Sequence, residues 1–222
     1  MPKQKRASKT ASLMYEHQFQ QSGCHKIMGF DEAGRGTWAG PVAAGAVCLP
    51  LERKDLSKLL TGVRDSKQMT PRQRSSLVNK IKEVALAWGV GSASSAEIDD
   101  LGIVAATKLA MQRAFDMAKF EPDCLLLDSL AWPEMKLPQI CLTKGDTLSL
   151  SIAAASVVAK VWRDEFMKTL DEQYPEYAFG VHKGYGTAKH QAALRTYGPS
   201  PIHRMSFAPL RNLGQAANGN ES

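Results

Sequence analysis

The stretch Gly29-Phe30-Asp31-Glu32-Ala33-Gly34-Arg35-Gly36 limits what this chain can fold into more than any other. An apolar run (Ile27, Met28, Phe30) leads into two adjacent carboxylates. A glycine-bracketed arginine follows, and then a second apolar run over 41–49. The pattern specifies a buried strand ending in acids, a tight turn and a partner strand. The connection is short, so the two strands are expected to pair antiparallel. Acids on a core strand are costly unless something neutralises them. A metal cation is the usual partner, and an N-cap or a salt-bridged pair is the alternative. Neighbours on a regular strand face opposite ways, so Asp31 and Glu32 share a site only where the strand ends or bulges. Gly34 and Gly36 permit that, which makes Asp31 the central ligand and Glu32 the less direct one.

The rest of the chain alternates strand and helix patterns. A short helix is expected over 12–20, with strands over 26–32 and 42–49. Thr70 caps a helix over 71–84 with Pro71 at its first position. A strand over 84–91, a turn or short helix over 95–101 and a helix over 103–120 follow, the last ended by Glu121-Pro122. The apolar run over 124–127 meets Asp128 and repeats the strand-then-carboxylate pattern of Asp31. A short strand over 139–143 precedes Lys144-Gly145-Asp146, where Asp146 is placed to cap a helix over 147–173. The first half of that helix, Ser151-Ile152-Ala153-Ala154-Ala155-Ser156, is built of small residues and can approach a sheet closely. A glycine-rich basic segment, His182-Lys183-Gly184-Tyr185-Gly186-Thr187, leads to a last helix over 188–197. Residues 1–11 and 213–222 read as disordered.

Charge and cysteine usage narrow the function classes. The formal net charge of +6 and sequence pI near 9.1 invite a polyanionic partner, although a solvated basic surface has the same composition. The four cysteines, Cys24, Cys48, Cys124 and Cys141, form no C-x-x-C pair, and the last three lie in apolar runs. Buried reduced thiols and a reducing, cytoplasmic compartment are therefore expected. No apolar stretch reaches membrane-spanning length, and the basic N-terminus has no apolar core behind it, so no secretory signal is expected, with a transit peptide as the less favoured alternative.

Asp31, Asp128 and Asp146 each sit where an element ends beside the expected sheet, with Glu32 as the fourth acid. Hard carboxylate oxygens suit Mg²⁺ or Mn²⁺. Two such ions can activate water and stabilise the leaving oxygen of a phosphodiester. Asp164 lies roughly 27 Å along a continuous helix from Asp146, so a structural salt bridge is its expected role. Asp65 is read as ordering the loop around Lys67, and Asp99, Asp100, Asp116 and Asp123 as solvated. The five histidines show no zinc-ligand spacing, and no serine or cysteine nucleophile motif or dinucleotide fingerprint is present.

These motifs, in this order, resemble ribonuclease HII, the type 2 ribonuclease H, in its bacterial single-chain form. The resemblance runs over about residues 26–210. It is carried by the Asp31 and Arg35 stretch, Ala39-Gly40-Pro41-Val42, Asp65-Ser66-Lys67, Leu127-Asp128, Lys144-Gly145-Asp146, the Ser151 to Lys160 run, the Tyr185 loop and Gly198-Pro199-Ser200-Pro201-Ile202-His203-Arg204. It implies an α/β ribonuclease H-like fold: a mixed sheet of about five strands flanked by helices, with a helical C-terminal extension. The expected organisation is a tail and short helix over 1–25, a catalytic core over 26–173, a substrate-binding part over 174–212 and a tail over 213–222.

The resemblance also implies a monomeric endonuclease that cuts the RNA strand of RNA–DNA hybrids. It implies incision 5′ of single ribonucleotides in duplex DNA, leaving 3′-hydroxyl and 5′-phosphate ends. Its metal-site acids map onto Asp31, Glu32, Asp128 and Asp146, holding two Mg²⁺ or Mn²⁺ ions. Its substrate-reading elements map onto Gly34, Arg35, Gly36 and Tyr185. Lys67, Lys144, Lys183 and Arg204 are expected phosphate contacts. Thr37-Trp38 and Ser129 depart from the pattern of the family, which puts substrate fit rather than activity in question. A type 3 ribonuclease H is the alternative within the enzyme class, disfavoured because only about thirty residues precede Asp31. A non-catalytic hybrid-binding module on the same fold is the alternative outside it, disfavoured because bare acids repel nucleic acid.

Overall fold

The strand that carries the acidic pair, β1 (Ile27–Ala33), lies at the centre of a sheet. The molecule was analysed as a computed structural model, which describes residues 10–211. In chain order the strands are β1, β2 (Val42–Cys48), β3 (Ala87–Ala93), β4 (Cys124–Asp128) and β5 (Gln139–Leu142). The helices are α1 (Met14–Gln21), α2 (Leu56–Leu59), α3 (Pro71–Val84), α4 (Ser95–Leu101), α5 (Ile103–Ala118), α6 (Gly145–Leu148), α7 (Leu150–Gln173), α8 (Phe179–His182) and α9 (Ala188–Tyr197). The five-stranded sheet has the order β3-β2-β1-β4-β5. β1 pairs antiparallel with β2 and parallel with β4, and β4 pairs parallel with β5.

Period-two alternation along β1 splits the core between two faces. Ile27 points toward α7, α3 and α1, whereas Met28 and Phe30 point toward α4, α5 and Trp132. α7 lies almost directly on the sheet, because a Cβ on Gly29 or Gly45 would collide with the backbone of Ser151 or Ala155. The run of small residues at the start of α7 makes this approach possible, as the sequence indicated. A third apolar cluster (Met167, Leu170, Tyr177, Phe179, Leu194) joins the C-terminal segment to the far end of α7.

Several boundaries differ from the sequence-based expectation. Residues 10 and 11 are docked: Ala11 is buried, its N–H donates to the Val63 carbonyl, and Thr10 Oγ1 accepts the Gly62 N–H. Their order comes from pairing with a distant loop, which local composition does not encode. The expectation for 213–222 lies outside the described residues. The helix expected over 147–173 is broken at Ser149, whose side chain accepts the Ile152 N–H and starts α7 afresh. Asp146 is therefore no cap; it lies within the short α6. The strand expected over 84–91 begins at Ala87, because α3 continues to Val84.

The cysteine expectation is also corrected. Cys24 and Cys124 are joined by a disulfide across 100 residues of sequence, and Cys141 is exposed. Only Cys48 is the buried free thiol foreseen, and burial pushes it up to about 12. The side chain of Asp123 accepts the N–H groups of His25 and Lys26, and this holds the Cys24 loop against the start of β4. Asp123 and Asp99, which holds residues 205 and 206, are thus structural rather than merely solvated. Among the described residues no helix is long and apolar enough to cross a membrane.

Candidate active site

Because β4 runs parallel to both of its neighbours, β1 and β5, the C-terminal ends of all three open at one edge, the usual place for a site in such sheets. Asp31 lies near the end of β1, Asp128 ends β4, and Asp146 lies in α6 just after β5. One carboxylate oxygen from each comes within 4.8 Å of the others. Sequence positions far apart thus converge through strand order.

Asp31 is 3% exposed. Its Oδ1 accepts the Glu32 N–H at 2.7 Å, while its buried Oδ2 has no hydrogen-bond partner. Burial first, and then Glu32, Asp128 and Asp146, hold its carboxyl well above the usual range; the nearby Ser156 hydroxyl opposes them only partly, because it donates to Ser66 Oγ at 2.8 Å. Asp128 Oδ1 accepts the Gly145 N–H at 2.8 Å and the Ser129 hydroxyl at 3.0 Å, which ties the end of β4 to the turn bearing Asp146. Ser129 and Lys144 flank this tie with φ of +53° and +58°. This left-handed backbone is where a glycine would be at ease, and it explains the departure at Ser129 as tolerated strain.

Burial, followed by Asp65 and Asp128, raises Asp146 to about 6. Asp65 therefore does more than order its loop. It accepts the Lys67 N–H at 2.9 Å and also lies beside Asp146, a proximity its sequence setting did not reveal. Glu32 stands apart from the three aspartates. Its Oε1 accepts from Arg35 Nη1 at 3.0 Å, and burial raises its carboxyl against that pairing. Partial desolvation of Lys67 is outweighed by Asp31 and Asp65, so its ammonium is held above its ordinary range.

A divalent cation fits this donor set. All the donors are hard oxygens, the charges are alike and converging, and one buried oxygen of Asp31 is left unpaired. Asp31, Asp128 and Asp146 would hold it, with Glu32 at the margin.

The Gly34–Gly36 turn is held from behind. Gly34 has φ of +90°, and a Cβ there would run into the Arg163 guanidinium. Gly36 has open space around it. Arg163 is fully buried: its Nε donates to the Pro41 carbonyl at 2.8 Å, Nη1 to that of Lys183 at 2.9 Å, and Nη2 to Thr37 Oγ1 at 2.9 Å. Sequence reasoning missed Arg163. The available signal was its place on the buried face of α7, at helical spacing from Ser156, Ala159, Met167 and Leu170.

Arg204 is the main correction to the expected substrate contacts. It is 0% exposed and cannot reach a phosphate. Its Nη2 donates to the carbonyls of Gly34 (2.8 Å) and Gly40 (2.9 Å), its Nη1 to that of Arg35 (2.9 Å) and its Nε to that of Gly40 (3.0 Å). Lys144 is exposed, whereas Lys183 is half-buried with its ammonium on the Gly180 carbonyl at 2.6 Å.

The Tyr185 loop meets the arginine turn. The Trp38 N–H donates to the Gly184 carbonyl at 2.8 Å, and a Cβ on Gly186 would strike the Trp38 ring. Tyr185 itself is 41% exposed, with the Lys160 ammonium 5.9 Å from its ring centre. Thr37 and Trp38, the residues that depart from the family pattern, thus join the two loops.

Asp164 pairs with Arg74 at 3.1 Å and Lys160 at 2.7 Å and takes no part in the acid cluster. Replacing it with asparagine should cost about 2 kcal/mol of stability, the scale of a charged hydrogen bond, and leave metal affinity unchanged. Chemical denaturation and calorimetric metal titration of the same sample would check both.

A ribonuclease H-like sheet that gathers unneutralised carboxylates at one edge, beside a glycine-rich arginine turn, defines a metal-dependent nuclease. A family model described as Ribonuclease HII matches residues 28–210. Ribonuclease HII of Synechococcus sp. (strain JA-3-3Ab) is 53% identical over 91% of this chain and 90% of its own length. That of Roseiflexus castenholzii is 51% identical over 87% of each chain. Among solved structures, ribonuclease H2 from Pyrococcus horikoshii OT3 is 25% identical with a TM-score of 0.69, covering 88% of this chain and all of that one. Bst-RNase HIII in complex with Mn²⁺ shares the fold at 18% identity and a TM-score of 0.64, over 99% of this chain and 75% of its own. The chain belongs to the ribonuclease HII family, and with it to the metal-dependent hydrolases that cut nucleic acid internally.

Proposed function

We propose that this enzyme cuts the RNA strand of RNA–DNA hybrids and incises duplex DNA on the 5′ side of single embedded ribonucleotides. The observation that carries the proposal is the junction of two loops beside the acid cluster: the Gly34–Gly36 turn and the Tyr185 loop are bonded to each other through Trp38, Arg163 and Gly184. A ribose held between them would present its 2′-hydroxyl to the turn, and that hydroxyl distinguishes RNA from DNA.

Two divalent ions, Mg²⁺ or Mn²⁺, held by Asp31, Asp128 and Asp146 with Glu32 adjoining, would supply Lewis-acid activation of water and stabilisation of the leaving oxygen. The residues of the chain do the rest. Asp128 positions Asp146 through the Gly145 N–H. Lys67, held charged by Asp31 and Asp65, receives a phosphate, as does the exposed Lys144. The backbone at Gly36, with no atom in the way, approaches the sugar, and the exposed Tyr185 ring covers its far side. Water adds at phosphorus and the P–O3′ bond breaks, leaving 3′-hydroxyl and 5′-phosphate ends.

The test is cleavage of a duplex with one ribonucleotide under a Mg²⁺ and Mn²⁺ titration, repeated with Tyr185→Ala. The variant should cut that substrate roughly a hundredfold more slowly, as expected for a misplaced reacting group. Its melting temperature and its affinity for all-DNA duplex should match the parent. An equal decline in cleavage, DNA affinity and melting temperature would reduce Tyr185 to a packing residue.

A further inference from the structure

Three histidines with no part in the chemistry are buried together behind the Tyr185 loop, and their hydrogen bonds have a direction. His190 Nδ1 lies 3.0 Å from the Tyr185 carbonyl. A carbonyl only accepts, so His190 must carry its proton on Nδ1 and present a bare Nε2. That Nε2 lies 2.9 Å from His203 Nε2, which must therefore be the protonated nitrogen of its ring. His203 Nδ1 is then an acceptor: it receives the Ser200 N–H and faces the Ser200 hydroxyl, each at 2.8 Å, whereas the Ser200 carbonyl lies farther off at 3.3 Å. His182 is fixed in the same way: its Nδ1 accepts the Gly184 N–H at 3.2 Å, and its Nε2–H donates to the Tyr177 carbonyl at 2.7 Å. Each ring is used at both nitrogens, and every tautomer agrees with its neighbour's.

The segment that supplies Ser200 and His203 also supplies Arg204, which grips the carbonyls of Gly34, Arg35 and Gly40. One short strap thus reaches both halves of the ribonucleotide-reading site, with His203 on one side and Arg204 on the other. We propose that the Ser200–His203–His190 relay is a positioning device for substrate selection, fixing the Tyr185 backbone at a set distance from the arginine turn. This rests on the reading of Tyr185 given above. Burial pushes both His190 and His203 down to about 4, so the rings stay neutral at working pH, as the relay requires.

The experiment has a spectroscopic and a kinetic arm, both on the full chain. Long-range ¹H–¹⁵N correlation of ¹⁵N-histidine protein at neutral pH should find His190 protonated on Nδ1, with His203 and His182 protonated on Nε2. His190 protonated on Nε2 would overturn the relay without touching the role of Tyr185. In the kinetic arm, His190→Phe keeps the ring volume but makes no bond, and should lower kcat on a single-ribonucleotide duplex roughly a hundredfold with KM unchanged. His190→Asn, whose amide replaces the Nδ1–H, should recover most of that loss. In a Tyr185→Ala background His190→Phe should cost nothing further. Equal impairment of the Phe and Asn variants, or full activity of the Phe variant, would refute positioning. A Tyr185→Ala enzyme with unaltered selectivity would remove the reading of Tyr185, and this role with it, whatever the tautomers.

Discussion

Replacing Asp31 with asparagine should give a protein that melts higher than the parent without metal and no longer cuts. The parent buries this carboxylate with one oxygen unpaired and other acids beside it. Asparagine keeps an oxygen for the Glu32 N–H and turns the orphaned acceptor into a donor facing Asp128 and Asp146. Relief of one unsatisfied buried group is worth about 1–3 kcal/mol, and hence several degrees in Tm. The sign with pH follows from the direction of the shift. A carboxyl raised in the folded state contributes stability below its unfolded pKa and loses it as pH rises through the folded value. The advantage of the variant should therefore be small near pH 4 and grow as pH rises, over a window that includes the value of about 6 for the neighbouring Asp146. Cleavage should fall by more than about a hundredfold, beyond what loss of an outer partner of a metal causes. Added Mg²⁺ or Mn²⁺ should raise the Tm of the parent and not that of the variant. A metal-free variant that melts lower and still cuts would make Asp31 structural.

The second large effect concerns Arg204. Arg204→Gln should lower stability by about 3 kcal/mol or more, because a buried charge network loses its donor fork and leaves carbonyls unpaired. The salt slope of duplex binding should stay where it was. A lost phosphate contact would reduce that slope by about one and leave the Tm nearly unchanged, which is the pattern expected of Lys67→Gln. Melting curves and affinities across a salt series for the two variants distinguish the roles directly. A reduced slope with an intact Tm for Arg204→Gln would return Arg204 to the phosphate contacts.

Most of the elements were legible locally. The Thr70 cap with Pro71, the span of α9, the antiparallel β1–β2 pair and the close approach of α7 all follow from side chains a few residues apart. The acid cluster was legible for a related reason. Asp31 and Asp128 come near the ends of neighbouring parallel strands, and the short turn after β5 brings Asp146 to the same edge. The break at Ser149 was not legible, because Ser149 and Glu16 lie 133 residues apart, yet the Ser149 hydroxyl donates to the Glu16 carboxylate beside the start of α7.

By itself the sequence determined which residues end strands, where the glycine-bracketed arginine sits, and that acids gather where a metal would serve them. These are short-range matters of period, capping and turn chemistry. Only the tertiary structure decided that Arg204 faces inward, that Arg163 locks Gly34, that Cys24 meets Cys124 and that three histidines line up behind Tyr185. An arginine in a loop carries no local mark of whether water or carbonyl oxygens will surround it. For Arg204 the answer came from Gly34, 170 residues earlier, once the sheet had closed and brought that turn within 2.8 Å.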